Sequence, residues 1–442
     1  MSNKRKIFVV IIIAALLGLA YVGNYAVQYA YIGSSYDAKT VCSCMFVSGR
    51  NLDNIKQEDL YAVPFATIKV DETNKTITSN IYGFAETKAI YRKGLGCTLV
   101  NELAEDEIRS QPNVPLADTL TEKLSLLAEL PTNINKADLN KAIEDAFKEK
   151  DPKNIIRTRA IVVLQDGKLI AEKYAPNISA QTPLLGWSMT KSVTNAMIGL
   201  LVKDGKLDIM KPAPIREWQD DERKKITIDH LLRMSSGLDF EENYASPSDA
   251  TQMLFRKKGA GAFAILSKAA AEPDKIWSYS SGTSNILQEI VRRQLSNHAE
   301  YLAFPHQRLF QKIGMKSAII EPDASGTYIG SSFMYATARD WAKFGQLYLQ
   351  DGIWNGERIL PEGWVKYSST ETPHSDGQYA AQFWLDYKDK SFPQDAFMAV
   401  GFEGQYVTIV PSKKLVIVRL GCTPNDNFNH SALVKGVVAA VK

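Results

Sequence analysis

The 442-residue sequence has few of the residues that build metal and nucleic-acid sites. It contains only five histidines and four cysteines, and its formal net charge at pH 7 is +3. The histidines are scattered along the chain, at His230, His298, His306, His374 and His430, and no dense block of lysine and arginine with interleaved aromatic residues occurs. The composition therefore argues against a nucleic-acid partner and against a histidine-based metal site.

Several motifs of common enzyme classes are also missing. The sequence contains no Gly-x-Ser-x-Gly, no His-Glu-x-x-His, no Gly-x-x-x-x-Gly-Lys and no dinucleotide-binding glycine pattern. An α/β-hydrolase, a zinc peptidase of the His-Glu-x-x-His type and a nucleotide-binding fold are therefore unsupported.

The N-terminus has the pattern of an export signal or a membrane anchor. Lys4-Arg5-Lys6 precedes an uncharged, largely apolar run from Ile7 to Val22, which residues 23–27 could extend to a full span. The small-residue pattern needed for cleavage is weak. We therefore favour a retained anchor at residues 1–28 over a cleaved signal peptide. Its basic end would stay in the cytoplasm, with the rest of the chain in the periplasm or otherwise exported, in the cell envelope.

The four cysteines fit an oxidising compartment outside the cytoplasm. Cys42 and Cys44 are too close for an ordinary metal pair and have no accompanying histidine, so a disulfide is expected instead of zinc. Cys97 is expected to pair with either Cys42 or Cys44, and Cys422 is the fourth cysteine. The sequence leaves the connectivity open.

Two units are predicted after the anchor. Residues 36–135 read as a small β-rich accessory module followed by a linker, with strand-like segments at 46–50, 66–71, 75–80 and 89–92. Residues 136–442 read as an α+β domain. Its predicted elements are an amphipathic helix at 136–150, a hairpin at 159–174, helices in the middle that include 337–349, a second hairpin at 406–420 and a closing helix from 431. The two hairpins are expected to join in one sheet.

The first candidate catalytic segment pairs a serine with a lysine. Ser188 and Lys191 stand three residues apart where an apolar helical pattern begins, so both side chains would lie on one helix face. In the first turn, unpaired backbone N–H groups can stabilise developing negative charge. The motif is weak by itself, since a capping serine in a solvated turn gives the same pattern. Ser188 is nevertheless the only serine in the chain with lysine at this spacing.

Two further segments could complete a site. Tyr279 lies in a polar loop before an apolar helix, and it would become a useful base only beside a cation such as Lys191. Ser281 could hydrogen-bond that amine or a substrate carbonyl. Near the C-terminus, Gly404 precedes a strand, and the backbone N–H near Gln405 could form an oxyanion hole with that of Ser188. The alternative interpretations are a packed aromatic loop and a bulged strand entry.

Together these segments resemble the three-motif pattern of the serine β-lactamase and penicillin-binding-protein superfamily. The resemblance is closest to the class C-like branch, which includes esterases and 6-aminohexanoate-dimer hydrolases. It covers about residues 155–442, with further matching stretches at 227–238, 335–342 and 351–356. It implies a β-lactamase/transpeptidase-like fold, with an antiparallel sheet flanked by helices and a helical lobe.

The resemblance also implies a mechanism without a metal or an organic cofactor. Ser188 would attack a carbonyl and become acylated, Lys191 and Tyr279 would share the role of base, and water would release the acyl group. Ser281, Gly404 and Gln405 would bind the substrate or its oxyanion. A Ser-His-Asp assembly remains open, but it would leave the lysine and the tyrosine unexplained.

Two departures from the family pattern bear on the substrate. Ser281 stands where the family often has asparagine, and Phe402 stands where β-lactamases and D,D-peptidases usually carry a lysine or histidine that holds the substrate carboxylate. Acidic Glu403 follows. We therefore predict an exported serine hydrolase for an ester or amide of a small molecule or peptide. The alternatives are a D,D-carboxypeptidase or β-lactamase, and a non-catalytic envelope binding protein with the same fold.

Overall fold

The computed structural model describes residues 3–114, 124–386, 388–424 and 427–442. Its first element is helix α1 (Asn3–Phe46), the one helix within these ranges that is long and apolar enough to cross a membrane. Residues 3–29 are largely exposed, and most of the helix from Ala30 onward is buried. The exposed part is consistent with the predicted anchor.

The buried half of α1 departs from the sequence prediction. Ala38, Val41 and Cys42 are fully buried and share one helix face, because Val41 and Cys42 lie three and four residues after Ala38. The predicted strand at 46–50 is wrong, since the helix continues to Phe46 and a turn follows. Packing of this face on a sheet outweighs the local strand pattern.

That sheet has four antiparallel strands in the order β1-β2-β3-β4. They are β1 (Thr67–Asp71), β2 (Thr76–Asn80), β3 (Thr87–Arg92) and β4 (Gly96–Leu99). The first three were predicted, and β4 was not. A disulfide joins Cys42 of α1 to Cys97 of β4, one of the two pairings that the sequence left open. Cys44 and Cys422 are buried free thiols.

A buried polar cluster joins this module to the rest of the chain. Glu321, which lies far along the chain, forms a salt bridge of 2.5 Å with Lys39 of α1. Its carboxylate also accepts hydrogen bonds from the Ser43 hydroxyl at 2.8 Å and from the backbone N–H of Cys97 at 2.6 Å. One hydrophobic core continues from α1 into the following domain. The module predicted as an accessory is therefore packed into the domain that it precedes.

The remaining elements place strands near both ends of the domain and a run of helices between them. The helices are α2 (Leu52–Glu58), α3 (Glu105–Arg109), α4 (Lys136–Phe147), α5 (Thr190–Lys203), α6 (Ile228–Leu232), α7 (Asp249–Phe255), α8 (Ala260–Ile265), α9 (Ser281–Arg293), α10 (His298–Pro305), α11 (Ala338–Leu349), α12 (Trp364–Ser369) and α13 (His430–Ala440). The strands are β5 (Thr158–Gln165), β6 (Lys168–Tyr174), β7 (Leu184–Leu185), β8 (Ile319–Ile320), β9 (Met334–Ala336), β10 (Ile353–Trp354), β11 (Glu357–Arg358), β12 (Phe397–Gly401), β13 (Gln405–Val410) and β14 (Leu415–Gly421). Residues 115–123 of the predicted linker lie outside the described ranges.

The central sheet joins the two predicted hairpins. Its five strands are antiparallel in the order β12-β13-β14-β5-β6, so the C-terminal hairpin lies beside the first one. The β5–β6 turn has positive φ at both Asp166 and Gly167, which is the geometry of a tight hairpin turn. Helices α4 and α13 pack together and against one side of the sheet, and α11 contacts β13, β14 and β5. This arrangement confirms the predicted β-lactamase-like α+β fold.

Candidate active site

Ser188, the predicted nucleophile, lies in a tight turn immediately before α5. Trp187–Met189 form a 3₁₀ turn, and α5 begins at the next residue. Trp187 has a φ of 46°, a left-handed conformation that is uncommon for a bulky residue and persists only where its surroundings fix it. The indole Nε1 of Trp187 donates a hydrogen bond to Glu403 Oε2 at 3.0 Å. The turn leaves the Ser188 side chain half-buried at the start of the helix.

Lys191 lies one helical turn further along and contacts the nucleophile. Its Nζ donates hydrogen bonds to Ser188 Oγ at 3.1 Å, to Ser281 Oγ at 3.0 Å and to the Ser331 carbonyl at 3.0 Å. The side chain is buried. Burial lowers the pKa of Lys191 to about 8, against the smaller opposing effect of the Glu242 carboxylate. A substantial fraction of the amine is therefore neutral near physiological pH.

Tyr279 faces the same pair. Lys191 Nζ lies 4.8 Å from the centre of the Tyr279 ring, and the phenol interacts with the Ser188 side chain through a hydrogen bond. Burial raises the pKa of Tyr279 above its ordinary value, although the hydrogen bond with Ser188 opposes this. The phenol is thus protonated near neutral pH, and the geometry favours Lys191 as the base and Tyr279 as a proton donor.

Ser281 is the first residue of α9, and the structure places it against the amine. Its fully buried hydroxyl accepts from Lys191 and donates to Glu242 Oε1 at 2.6 Å. The backbone N–H of Ser281 donates to the other Glu242 oxygen at 2.8 Å. The contact with the amine is one of the two that the sequence suggested for this hydroxyl.

Glu242 and Tyr244 were not predicted from the sequence. The Tyr244 hydroxyl lies 2.7 Å from Glu242 Oε1 and 2.9 Å from Ser281 Oγ, so a continuous chain of hydrogen bonds runs from Ser188 through Lys191 to this carboxylate. Burial of the hydroxyl and the adjacent Glu242 charge raise the pKa of Tyr244 well above its ordinary value. Residues 241–244 belong to an irregular loop without periodicity, and no sequence signal marks them.

The third predicted segment forms the turn of the β12–β13 hairpin. Gly401 pairs with Gln405, and Gly404 has a φ of 78°. A Cβ atom on Gly401 would lie 2.1 Å from the carbonyl oxygen of Gly186, so only glycine allows this close approach to the nucleophile turn. The Gln405 side chain is buried and donates to the carbonyl of Gly421 at 2.8 Å. The oxyanion role of the Gln405 backbone stays a prediction.

Buried Arg419 holds this turn from behind. Its Nη1 donates to the carbonyls of Glu403 at 3.0 Å and Gly404 at 2.7 Å. Burial lowers the pKa of Arg419 to about 9. The Glu403 carboxylate also accepts from the Tyr61 hydroxyl at 2.9 Å, and burial raises the pKa of Glu403. The acidic residue that the sequence placed near the substrate is therefore 6% exposed and hydrogen-bonded to two aromatic side chains.

A cavity of about 240 Å³ opens beside Ser188. Its lining is mainly aromatic and aliphatic and includes Phe402; none of the described residues that form it is charged. The lining residues are Tyr29, Ile32, Gly33, Tyr36, Tyr61, Ala62, Val63, Trp187, Ser188, Tyr244, Ser246, Thr251, Leu254, Phe255, Ser332 and Phe402. Within the described part of the chain, no group of three or more His, Cys, Asp or Glu side chains is arranged to hold a metal ion.

Comparison with known proteins identifies related sequences and folds. The family model described as Beta-lactamase matches residues 143–434. A 6-aminohexanoate-dimer hydrolase of Paenarthrobacter ureafaciens is 24% identical over 301 residues, which cover 62% of this chain and 74% of that protein.

The solved structures with a similar fold include the following two proteins. A penicillin-binding protein homologue from Caulobacter crescentus has a TM-score of 0.55 and 14% identity, over 72% of this chain and 100% of its own. A family VIII carboxylesterase has the same TM-score, identity and coverage.

Proposed function

Because the chain belongs to the beta-lactamase family, we propose that it is an exported serine hydrolase that cleaves an ester or amide bond through an acyl-enzyme on Ser188. One observation carries this proposal. The buried amine of Lys191 lies 3.1 Å from Ser188 Oγ, and its pKa is lowered to about 8. A nucleophile in contact with a base of nearly neutral pKa is the arrangement that covalent catalysis requires.

The hydrogen bonds of Lys191 support its role as base. A protonated amine has three N–H donors, which match its three acceptors on Ser188, Ser281 and Ser331. The neutral amine keeps two of these donors and has one lone pair. When the two N–H groups of Lys191 donate to Ser281 and Ser331, its lone pair points at Ser188 Oγ and can accept the proton of that hydroxyl.

The reaction would proceed by acylation of Ser188 and then by hydrolysis of the acyl-enzyme. Ser188 Oγ forms a bond to the substrate carbonyl carbon as its proton moves to Lys191 Nζ. The tetrahedral intermediate collapses, the C–O or C–N bond to the leaving group breaks, and the leaving group takes a proton through the Tyr279 hydroxyl or Lys191. Water next adds to the acyl carbon, its proton returns to Ser188 Oγ, and a carboxylic acid is released.

Glu242 acts on the base through Ser281. It contacts the Ser281 hydroxyl and backbone N–H, and its negative charge raises the pKa of Lys191 against the effect of burial. Glu242 therefore positions Ser281 and sets the pH at which the amine becomes neutral. It does not contact the nucleophile, and it reaches the cavity lining only through the Tyr244 hydroxyl, so we assign it as a positioning residue.

The cavity favours a substrate without a carboxylate near the scissile bond. Phe402 replaces the usual cation, and no charged residue is found in the described lining. Glu403 is turned into the protein, where it binds Trp187 and Tyr61. A penicillin or a D-Ala-D-Ala terminus would find no cationic partner for its carboxylate in that lining. Similarity to proteins named as a 6-aminohexanoate-dimer hydrolase and a carboxylesterase supports the ester or amide class.

The test is intact-mass detection of covalent adducts on the full-length chain in detergent. A fluorophosphonate should add to the native protein and fail to add to Ser188→Ala, and a penicillin should give no adduct. A penicillin adduct on Ser188 would support the D,D-peptidase or β-lactamase alternative. A folded protein that reacts with neither reagent would support the non-catalytic binding protein instead.

A further inference from the structure

One wall of the Ser188 cavity is formed by helix α1. Tyr29, Ile32, Gly33 and Tyr36 follow one another at spacings of one, three or four residues and lie along one side of the helix. The ring of Tyr36 stacks with that of Trp187, the residue before the nucleophile, at 6.4 Å between ring centres. The helix that contains the apolar N-terminal segment therefore also shapes the candidate substrate site.

The cavity begins where the exposed apolar part of α1 ends. Residues 7–27 would extend about 30 Å at a rise of about 1.5 Å per residue, which matches the hydrocarbon core of a bilayer. Gln28 follows, and its Oε1 accepts a hydrogen bond of 2.8 Å from Gln252 Nε2 in α7. Tyr29 is the next residue and already lines the cavity. A membrane around residues 7–27 would lie directly at the cavity entrance.

Exposed aromatic side chains also lie near the start of the buried part of α1. Phe65, Tyr82 and Phe84 are 52%, 78% and 51% exposed, and the rings of Phe65 and Tyr82 stack at 5.7 Å. The two loops that carry them pack their buried residues on Ala30 of α1. Clusters of exposed aromatic rings next to a membrane span are typical of the membrane–water interface. This aromatic cluster would rest on the lipid headgroups.

We propose that the substrate is an amphiphile dissolved in the bilayer, whose alkyl chain enters this cavity from the membrane and whose ester or amide carbonyl reaches Ser188. The inference rests on the proposed serine hydrolase function. The apolar lining, with Ile32, Leu254 and Phe255, matches an alkyl chain, and the polar end at Ser188 and Tyr244 matches the carbonyl. Hydrolysis would release a carboxylic acid and an alcohol or amine, one of which keeps the alkyl chain.

The first experiment measures kcat/KM against alkyl-chain length. The full-length chain would be reconstituted in phosphatidylcholine–phosphatidylglycerol vesicles and given two ester series. One series lengthens the acyl side, from 4-nitrophenyl acetate to 4-nitrophenyl dodecanoate. The other lengthens the alcohol side, from ethyl acetate to dodecyl acetate. Each methylene that enters an apolar cavity contributes about 0.8 kcal/mol, so kcat/KM should rise about fourfold per methylene in one series until the cavity is full.

A variant that narrows the entrance links the effect to the cavity. Ala62 is exposed and lines it, so Ala62→Trp adds bulk without overpacking the core. In the series whose kcat/KM rises with chain length, the ratio of kcat/KM for the longest ester to that for the shortest should fall by tenfold or more. Ala137→Trp, on an exposed face of α4 away from the cavity, is the matched control and should leave that ratio unchanged. Ser188→Ala gives the uncatalysed background for each ester.

The outcomes separate this inference from the function on which it rests. If acetate hydrolysis depends on Ser188 but kcat/KM is flat or falls with chain length in both series, the membrane substrate is excluded and the serine hydrolase stands. A rise with chain length that Ala62→Trp does not reduce would also overturn the inference, because the chain would then bind elsewhere. If no ester shows Ser188-dependent hydrolysis, both proposals fail.

Discussion

Two unlike regions meet at Ser188. On one side lie polar groups in a continuous hydrogen-bonded chain, formed by Lys191, Ser281 and Glu242. On the other side, Trp187 packs against aromatic rings that include those of Tyr36 and Phe402. The polar groups can exchange protons, whereas the aromatic groups fix the turn and exclude water. Changes on the polar side should therefore alter rate and pH dependence, and changes on the aromatic side should alter stability.

The largest expected effect tests the polar side. Lys191→Met keeps the length of the side chain but removes the base, and loss of a general base typically lowers the rate by about 10²–10⁴-fold. We expect a decrease of that size in kcat/KM for 4-nitrophenyl acetate, with a circular dichroism spectrum like that of the native protein. Exposed Lys206→Met is the control. A variant that kept a tenth of the native kcat/KM would point to another base.

The second prediction concerns the stability that the buried Lys39–Glu321 salt bridge contributes near the aromatic side. Lys39→Met removes the buried partner of Glu321, and an uncompensated buried charge costs about 3–5 kcal/mol. Urea unfolding in detergent should show a decrease of this size in the free energy of unfolding. Fluorophosphonate labelling of the folded fraction should proceed at the native rate. Adding Glu321→Gln should recover part of the loss, and a full additive loss would show that the pair is not coupled.

The third change is adjacent to the nucleophile but belongs to the aromatic side. Trp187→Phe keeps a ring but removes the indole N–H that binds Glu403, which leaves a buried carboxylate with one donor fewer. The expected loss of stability is about 1–3 kcal/mol. Thermal unfolding measures it, with Trp354→Phe, in a half-buried hairpin strand, as the control. If Trp187→Phe instead lowered kcat without lowering stability, the aromatic side would also control the rate, and the proposed difference between the two sides would be wrong.

The smallest effect is a shift along the pH axis. Attack by Ser188 requires a neutral amine, so kcat/KM should rise with pH and reach half its maximum near the Lys191 pKa of about 8. The Glu242 charge raises that pKa, so Glu242→Gln should move the midpoint to lower pH, by less than about one unit. Glu241→Gln, at the exposed neighbouring position, should not move it. A midpoint that moved upward would contradict the proposed role of Glu242.

The sequence reveals the polar side better than the aromatic side, for a physical reason. Ser188 and Lys191 are three residues apart, and helix geometry alone brings their side chains together. Tyr279 stands in a short loop and Ser281 begins the helix that follows, and a polar loop ahead of an apolar helical pattern is recognisable in the sequence. Glu242 lies in a loop with no period, and only the folded chain brings it to Ser281. Its contribution could not be inferred from local spacing.

The two sheets also differ in how well the sequence predicts them. The hairpins of the central sheet have long, largely apolar strands separated by short turns, and their predicted pairing is confirmed. The small sheet was predicted only in part, because β4 is four residues long and starts with glycine. The end of α1 was mistaken for a strand, since Phe46 and its apolar neighbours fit either structure until the partner surface is known.

The connection of α1 to distant residues also has a consequence for the order in which the chain folds. Ser43 and its partner Glu321 are 278 residues apart. At a synthesis rate of about 5–20 residues per second, roughly 15–55 s would pass between the synthesis of Ser43 and the synthesis of Glu321. If the exposed part of α1 is retained in a membrane, the buried half of the helix would wait uncovered beside the bilayer during that time. Asp37 and Lys39 would oppose its slipping into the membrane, since each charge costs about 2.5–3.5 kcal/mol at the centre of a span.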